Sequence, residues 1–217
     1  MVDRKREKKA RSMIDTQIFV KNFDYDDLTS VKLNYLNDEE KTKAKQFVHQ
    51  KDKRAYQLSH IYLREILSVC YPDVPEKLWS FKTNQFHKPY IALKSYENIY
   101  FNISHTSSHF AMILGNTECG IDIEQDNHKK IEKTMLELVL TKQEQNILKK
   151  NDISFYTFWT LKEAHLKALG KGLLEPLHNI EFLDIRYDIA FEQNGYEYVT
   201  SKIASDLYLS YARNISR

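Results

Sequence analysis

Residues 158–173, FWTLKEAHLKALGKGL, constrain the fold of this chain more than any other stretch. Phe158, Leu161, His165 and Ala168 repeat at three- and four-residue spacing, so they form one apolar face of a helix. Thr160, Glu163 and Lys167 form a polar stripe at the same spacing, and Gly170 and Gly172 stop the helix. A helix this apolar has to be covered, so the rest of the chain must supply a sheet or other helices to pack on it. Glu163 and Lys167 lie one turn apart beside Trp159. They form either a solvated ion pair or charges directed into a site.

The elements around this helix alternate in type. Residues 16–23 predict a strand, and LNDEEKTKAKQFV predicts a helix with Asn37 or Asp38 as N-cap and Phe47 on its buried side. Residues 51–69 predict a longer helix, ended by YPDVPEKLW because proline cannot continue it. Short strands are expected at 79–82, 89–93, 99–104, 110–114 and 119–124, and helices at 131–139 and 144–149. Further strands are expected at 180–187, 189–192, 196–203 and 207–213, with Asn194-Gly195 as a hairpin signal. This order predicts an α+β fold of two lobes, residues 13–115 and 116–217, behind a basic tail at 1–12.

Composition narrows the function classes. With 217 residues, the chain has room for one large domain or two small ones. Only 5 Gly and 4 Pro occur, and neither a P-loop nor a GxGxxG is present. A net charge of +2 does not point to a nucleic-acid partner, although residues 3–11 form a basic run. No segment approaches the roughly 20 apolar residues of a membrane helix. Cys70 and Cys119 have no CxxC spacing, so free thiols in a cytoplasmic protein are expected.

Several residues carry chemistry. In GIDIE, Asp122 and Glu124 share one face of a strand and Ile121 and Ile123 the other. Adjacent carboxylates repel unless a cation lies between them, and hard oxygen donors suit Mg²⁺. The alternative is an ordinary half-exposed strand. Glu163 offers a third carboxylate, with Lys167 one turn on to face a bound phosphate. Glu144 in TKQE reads as a capping box with Thr141, or as a carboxylate base. His105 in FNISHTSSH reads as an anion donor or a turn residue, and Lys88 in HKPY as a cation held in a rigid turn.

In the order KPYI, FNISH, GIDIE, FWTLKEAHLKALGKGL, these pieces resemble the phosphopantetheinyl transferase superfamily, in particular its long, surfactin-synthetase-activator-like (Sfp) type. Its two diagnostic motifs match at residues 120–124 and 159–167 without a gap. The resemblance implies two similar α/β lobes with the active site between them. It implies transfer of the phosphopantetheine arm of coenzyme A to a serine of an apo acyl or peptidyl carrier protein, with a monomeric enzyme and no nucleic acid or membrane involved. By the same resemblance, Asp122, Glu124 and Glu163 are Mg²⁺ ligands, Glu144 is the base and Lys167 acts at the reacting phosphate. Ser104, His105, Lys88, Lys43 and Lys162 are implied as coenzyme A contacts, and Arg54 lies one residue from the family's N-terminal arginine. The competing readings are a Mg²⁺-dependent phosphoesterase and a basic-tailed nucleic-acid binder.

Overall fold

Two small antiparallel sheets, each carrying one long helix, account for most of the chain. The computed structural model describes residues 16–150, 153–172 and 175–216. The basic tail, and so the whole of the 1–12 expectation, lies outside these residues. The first sheet has the order β1-β5-β4, from strands β1 (Gln17–Asn22), β4 (Tyr100–His105) and β5 (His109–Gly115). Between β1 and β4 come α1 (Ser30–Leu33), α2 (Asp38–Gln46), α3 (Gln50–Cys70) and a hairpin of β2 (Phe81–Thr83) and β3 (Pro89–Ile91). The second sheet has the order β6-β9-β8-β7. It is built from β6 (Cys119–Gln125), β7 (Phe191–Gln193), β8 (Tyr196–Ala204) and β9 (Leu207–Asn214), with α4 (Lys133–Val139), α5 (Lys142–Lys150) and α6 (Phe155–Leu169) inserted after β6.

The apolar periodicity decides what packs where. Leu58, Ile61, Tyr62 and Leu67 of α3 meet Phe101 of β4 and Phe110, Met112 and Leu114 of β5. On the second sheet, Phe158, Leu161, Ala164 and Ala168 of α6 meet Tyr196, Tyr198 and Ala212. A third cluster joins the two sheets: Ala111 and Ile113 from β5, Ile121 and Ile123 from β6, and Leu207 and Leu209 from β9. Where β4 passes β6, the Asn102 Oδ1 accepts the Ile121 N–H at 2.9 Å, a side chain taking the place of a strand partner. The two sheets therefore meet at β6, and its other face, with Asp122 and Glu124, is turned to α6.

Gly120 is required for that last contact. A Cβ there would collide with the Ala164 carbonyl and the Ala168 amide of α6, so only glycine lets the helix lie this close to the strand. In the first half, α2 is fixed on α3 by charge. Asn37 and Glu40 form a capping box, and Glu40 also meets the buried Arg64 at 2.9 Å and His60 at 2.8 Å.

One expected strand is absent. Residues 180–187 form no ladder and pair only through an isolated bridge between Tyr187 and Thr200. Phe182 and Ile185 are buried as the pattern suggests. Their segment is held by side chains instead, since the Phe182 N–H donates to Glu144 Oε1 and the Thr141 hydroxyl donates to Glu181. With those groups satisfied, no strand pairing is needed to bury the segment. Among the described residues no helix is long and apolar enough to cross a membrane.

Candidate active site

The two halves meet in one polar constellation. Lys167, in the last turn of α6, donates from Nζ to Asp122 Oδ1 at 2.6 Å, to the Ile121 carbonyl at 3.2 Å and to Ser104 Oγ at 3.0 Å. Ser104, at the end of β4, donates its hydroxyl to the same Asp122 oxygen at 2.8 Å. Three elements thus converge on one carboxylate. Asp122 is buried, 4 % exposed, and not on an exposed strand face as the alternation alone suggests. Its other oxygen, Oδ2, is buried with no hydrogen-bond partner among the described residues. Lys167 forms no ion pair with Glu163 among the described residues, so the surface-pair reading does not describe it.

Glu124 and Glu163 share the field of Asp122. Glu124 is half-buried, and desolvation followed by the Asp122 charge pushes its carboxyl up to about 7, against the opposing pull of Lys167 and a Trp159 hydrogen bond. Glu163 is raised by desolvation and then by Asp122, again opposed by Lys167. One ammonium therefore faces three carboxylates, so positive charge is short at this place. Hard oxygen donors, a deficit of positive charge and an unpartnered buried oxygen all suit a divalent cation. As the side chains stand, no three His, Cys, Asp or Glu groups among the described residues are placed together to hold a metal ion. A shallow cleft of about 390 Å³ opens beside Glu124, lined by Thr106, Ser107, Gln125, Asp126 and Asn127.

His105 lies in the same field. Desolvation lowers its imidazole, the Thr106 carbonyl raises it, and the Lys167 ammonium lowers it again.

Other expected site residues have different surroundings. Glu144 and Lys162, expected as base and coenzyme A contact, form an ion pair at 2.5 Å with both side chains 0 % exposed. Glu144 Oε1 accepts from Phe182 N, and Oε2 accepts from Thr141 N as well as from Lys162. Lys162 also donates to the carbonyls of Val139 and Leu177 at 2.7 and 3.2 Å. No oxygen of Glu144 is open to an incoming hydroxyl, and no face of Lys162 is open to a phosphate. The capping box and the sealed ion pair thus engage the polar atoms of both side chains. Lys88 is half-buried and bonded to carbonyls of Cys119 and Ala168. Arg54 stacks on Tyr25 and donates to its carbonyl, while Lys43 is exposed on α2 and lies over Tyr56.

Asn102 and Asn84 were not anticipated. Asn102 lies in the FNISH segment, yet nothing in strand alternation marks an inward asparagine as a bridge. Asn84 has only a turn-forming composition around it.

Comparison with known proteins bears directly on this arrangement. Residues 118–210 match the family model described as the 4'-phosphopantetheinyl transferase superfamily, and residues 25–118 match the one described as 4'-phosphopantetheinyl transferase, N-terminal. The two matches abut and together cover 25–210. The 4'-phosphopantetheinyl transferase gsp of Aneurinibacillus migulanus is 28% identical over 71% of this chain and 65% of its own length. The 4'-phosphopantetheinyl transferase Sfp of Bacillus subtilis is 27% identical over 67% of this chain and 65% of its own. The L-aminoadipate-semialdehyde dehydrogenase-phosphopantetheinyl transferase of Rattus norvegicus is 27% identical over 66% of this chain and 51% of its own. The chain thus spans just under two thirds of the length of the bacterial relatives. The phosphoesterase reading finds no support among them.

Proposed function

The chain belongs to the 4'-phosphopantetheinyl transferase superfamily, and on that premise we propose that it transfers the 4'-phosphopantetheine group of coenzyme A to a serine of an apo carrier protein. The observation that carries this reading is the convergence of Ser104, Asp122 and Lys167 where the two sheets meet, with Glu124 and Glu163 in the same field.

In the reaction, the carrier serine oxygen forms a bond to the pantetheine-side phosphorus of the pyrophosphate. The bond from that phosphorus to the bridging oxygen breaks, and 3',5'-ADP leaves with the electron pair. Positioning and charge stabilisation do most of the work in such transfers. Lys167 is the group suited to the charge that grows on the leaving phosphate, because its ammonium is half-buried and already fixed by Ser104 and the Ile121 carbonyl. Ser104 holds the Asp122 carboxylate in one orientation. Asp122, Glu124 and Glu163 would hold Mg²⁺, which when bound neutralises pyrophosphate charge. The serine proton goes to solvent water as the new bond forms, and Glu144, expected as its acceptor, has both oxygens hydrogen-bonded within the protein. His105 is proposed as a coenzyme A phosphate contact, which its position beside Ser104 at the end of β4 supports. The chain is proposed to act on its own as a cytoplasmic monomer with acyl or peptidyl carrier proteins as partners.

The test is incubation with coenzyme A, Mg²⁺ and a panel of apo carrier proteins, read by intact-protein mass spectrometry. One carrier should gain the phosphopantetheine mass, EDTA should prevent it, and added Mg²⁺ should restore it. Release of phosphate from coenzyme A with every carrier left unmodified would replace this reading by the phosphoesterase one.

A further inference from the structure

The turn between β2 and β3 reaches across to the end of α6. Asn84 Oδ1 accepts the backbone N–H groups of Phe86 and Lys88, at 2.9 and 3.0 Å, which shapes the turn. The Asn84 amide then donates to the Gly170 carbonyl at 3.0 Å. Lys88 Nζ donates to the Cys119 carbonyl at 3.0 Å and the Ala168 carbonyl at 3.1 Å. Gly170 is the left-handed C-cap of α6, with φ of 63°, and a Cβ there would come within 2.9 Å of Lys88 Cδ. A lysine near a helix C-terminus also offsets the negative end of the helix dipole.

The two carbonyls that Lys88 grips are placed informatively. Cys119 precedes Gly120, the residue that lets α6 approach β6, and Ala168 follows Lys167. One ammonium therefore ties strand to helix beside the closest contact between them. The strand carries Asp122 and Glu124, and the helix carries Glu163 and Lys167. We propose that Lys88, with Asn84, is a positioning residue: it sets the register of α6 on β6 and thereby the spacing of Lys167 and the carboxylates. Two of the three donors of the Lys88 ammonium are engaged within the protein, and this grip, rather than the ribose-phosphate contact expected for Lys88, is what the positioning role rests on. This inference rests on the transferase reading for its catalytic consequence, but the latch itself is a property of the chain alone.

Lys88→Met keeps the aliphatic stem over Gly170 and removes the donors, and Lys88→Arg retains a cation. The measurements on the full chain are Mn²⁺ binding followed by electron paramagnetic resonance, the affinities for coenzyme A and dephospho-coenzyme A, single-turnover transfer, and amide hydrogen exchange. Lys88→Met should bind Mn²⁺ about 10-fold more weakly and transfer roughly 10- to 100-fold more slowly, as expected for misplaced reacting groups. The ratio of the two coenzyme affinities should stay unchanged, and Lys88→Arg should recover part of the rate. Asn84→Ala, which attacks the same latch through another atom, should reproduce the pattern in milder form and serves if Lys88→Met does not fold. A selective loss of coenzyme A over dephospho-coenzyme A overturns the proposal in favour of ligand contact. Unchanged Mn²⁺ affinity and rate with only a lower melting temperature also overturn it. If the unmodified chain neither binds Mn²⁺ nor transfers, the transferase reading falls. The latch is then judged by exchange: faster exchange at 119–122 and 163–170 in Lys88→Met supports it, and unchanged exchange overturns it.

Discussion

Helix α6 carries two lysines, Lys162 and Lys167, and each ends on a carboxylate of another element. The pairs are chemically alike and physically opposite. Lys162 and Glu144 are both sealed from solvent, and every donor and acceptor of the pair has a partner. Lys167 is 28 % exposed, and its partner Asp122 keeps one buried oxygen without a hydrogen bond. The first pair is complete; the second sits in a field of carboxylates that its single charge does not neutralise. A lysine–carboxylate contact in a motif is thus not by itself a sign of catalysis. What separates structure from site is whether the surrounding polar groups are satisfied without a ligand.

The largest effect should come from breaking the sealed pair. Glu144→Gln still fits the capping box, which by sequence alone predicts little change in stability. The structure reverses that expectation, because Lys162 would be left as an uncompensated buried cation. Removing one partner of such a pair costs about 3–5 kcal/mol, or a melting drop on the order of 10 °C in a chain of this size. Combining it with Lys162→Met should recover most of the loss, since no charge then remains buried. Urea melts of the two single variants and the double variant measure this. A Glu144→Gln protein that melts normally yet no longer transfers would erase the contrast and return Glu144 to the role of base.

Lys167→Ala should divide the other way. Its loss leaves the buried Asp122 carboxylate without its cation, so melting should fall, but by less than for the fully sealed pair because the Lys167 side chain is 28 % exposed and water can reach the gap. Single-turnover transfer to one carrier should fall by roughly 10²–10³-fold, the range for loss of one preorganised donor. Arg in its place should recover only part of the rate, because its planar fork does not reproduce a compact ammonium held by Ser104 and the Ile121 carbonyl. A normal rate with a large loss of stability would make the two pairs equivalent.

Local pattern carried much of this molecule. The alternation in GIDIE correctly set Asp122 and Glu124 apart from Ile121 and Ile123, because a two-residue period leaves one geometric outcome. The stripe of Glu163 and Lys167 was equally legible from the helical period. Burial was not. Whether Glu144 lies open or sealed depends on Lys162 and Phe182, which bond it, and on Val139 and Leu177, whose carbonyls hold Lys162 in place. At 180–187, where the expected strand is absent, one backbone N–H, that of Phe182, is taken by Glu144, a long-range contact that no local window contains. The grip of Lys88 on α6 is longer still, since it links residues 80 positions apart.

His165 sharpens the comparison from a third direction and should give the smallest effect. It is buried on α6 like Lys162, at 8 % exposure, and among the described residues it has no buried counter-ion like that of Lys162. Its Nδ1 lies 2.6 Å from the Tyr198 hydroxyl, and its ring packs on Phe182 and Tyr196. Desolvation holds its pKa below the ordinary 6.5, with Glu175 opposing weakly from outside the cluster. The folded protein therefore keeps this imidazole neutral where the unfolded chain protonates it. Between the folded value and 6.5 the unfolded state binds more protons, so stability rises with pH across that window and is progressively lost as pH falls below 6.5. For one group the slope cannot exceed about 1.4 kcal/mol per pH unit. His165→Gln retains a partner for Tyr198 without the titration. Urea midpoints of both proteins at pH 5, 6 and 7 should show the unmodified chain losing stability faster toward pH 5 than the variant. Parallel losses would mean that His165 becomes protonated in place, and that α6 tolerates an unpaired charge where Lys162 has needed a sealed partner.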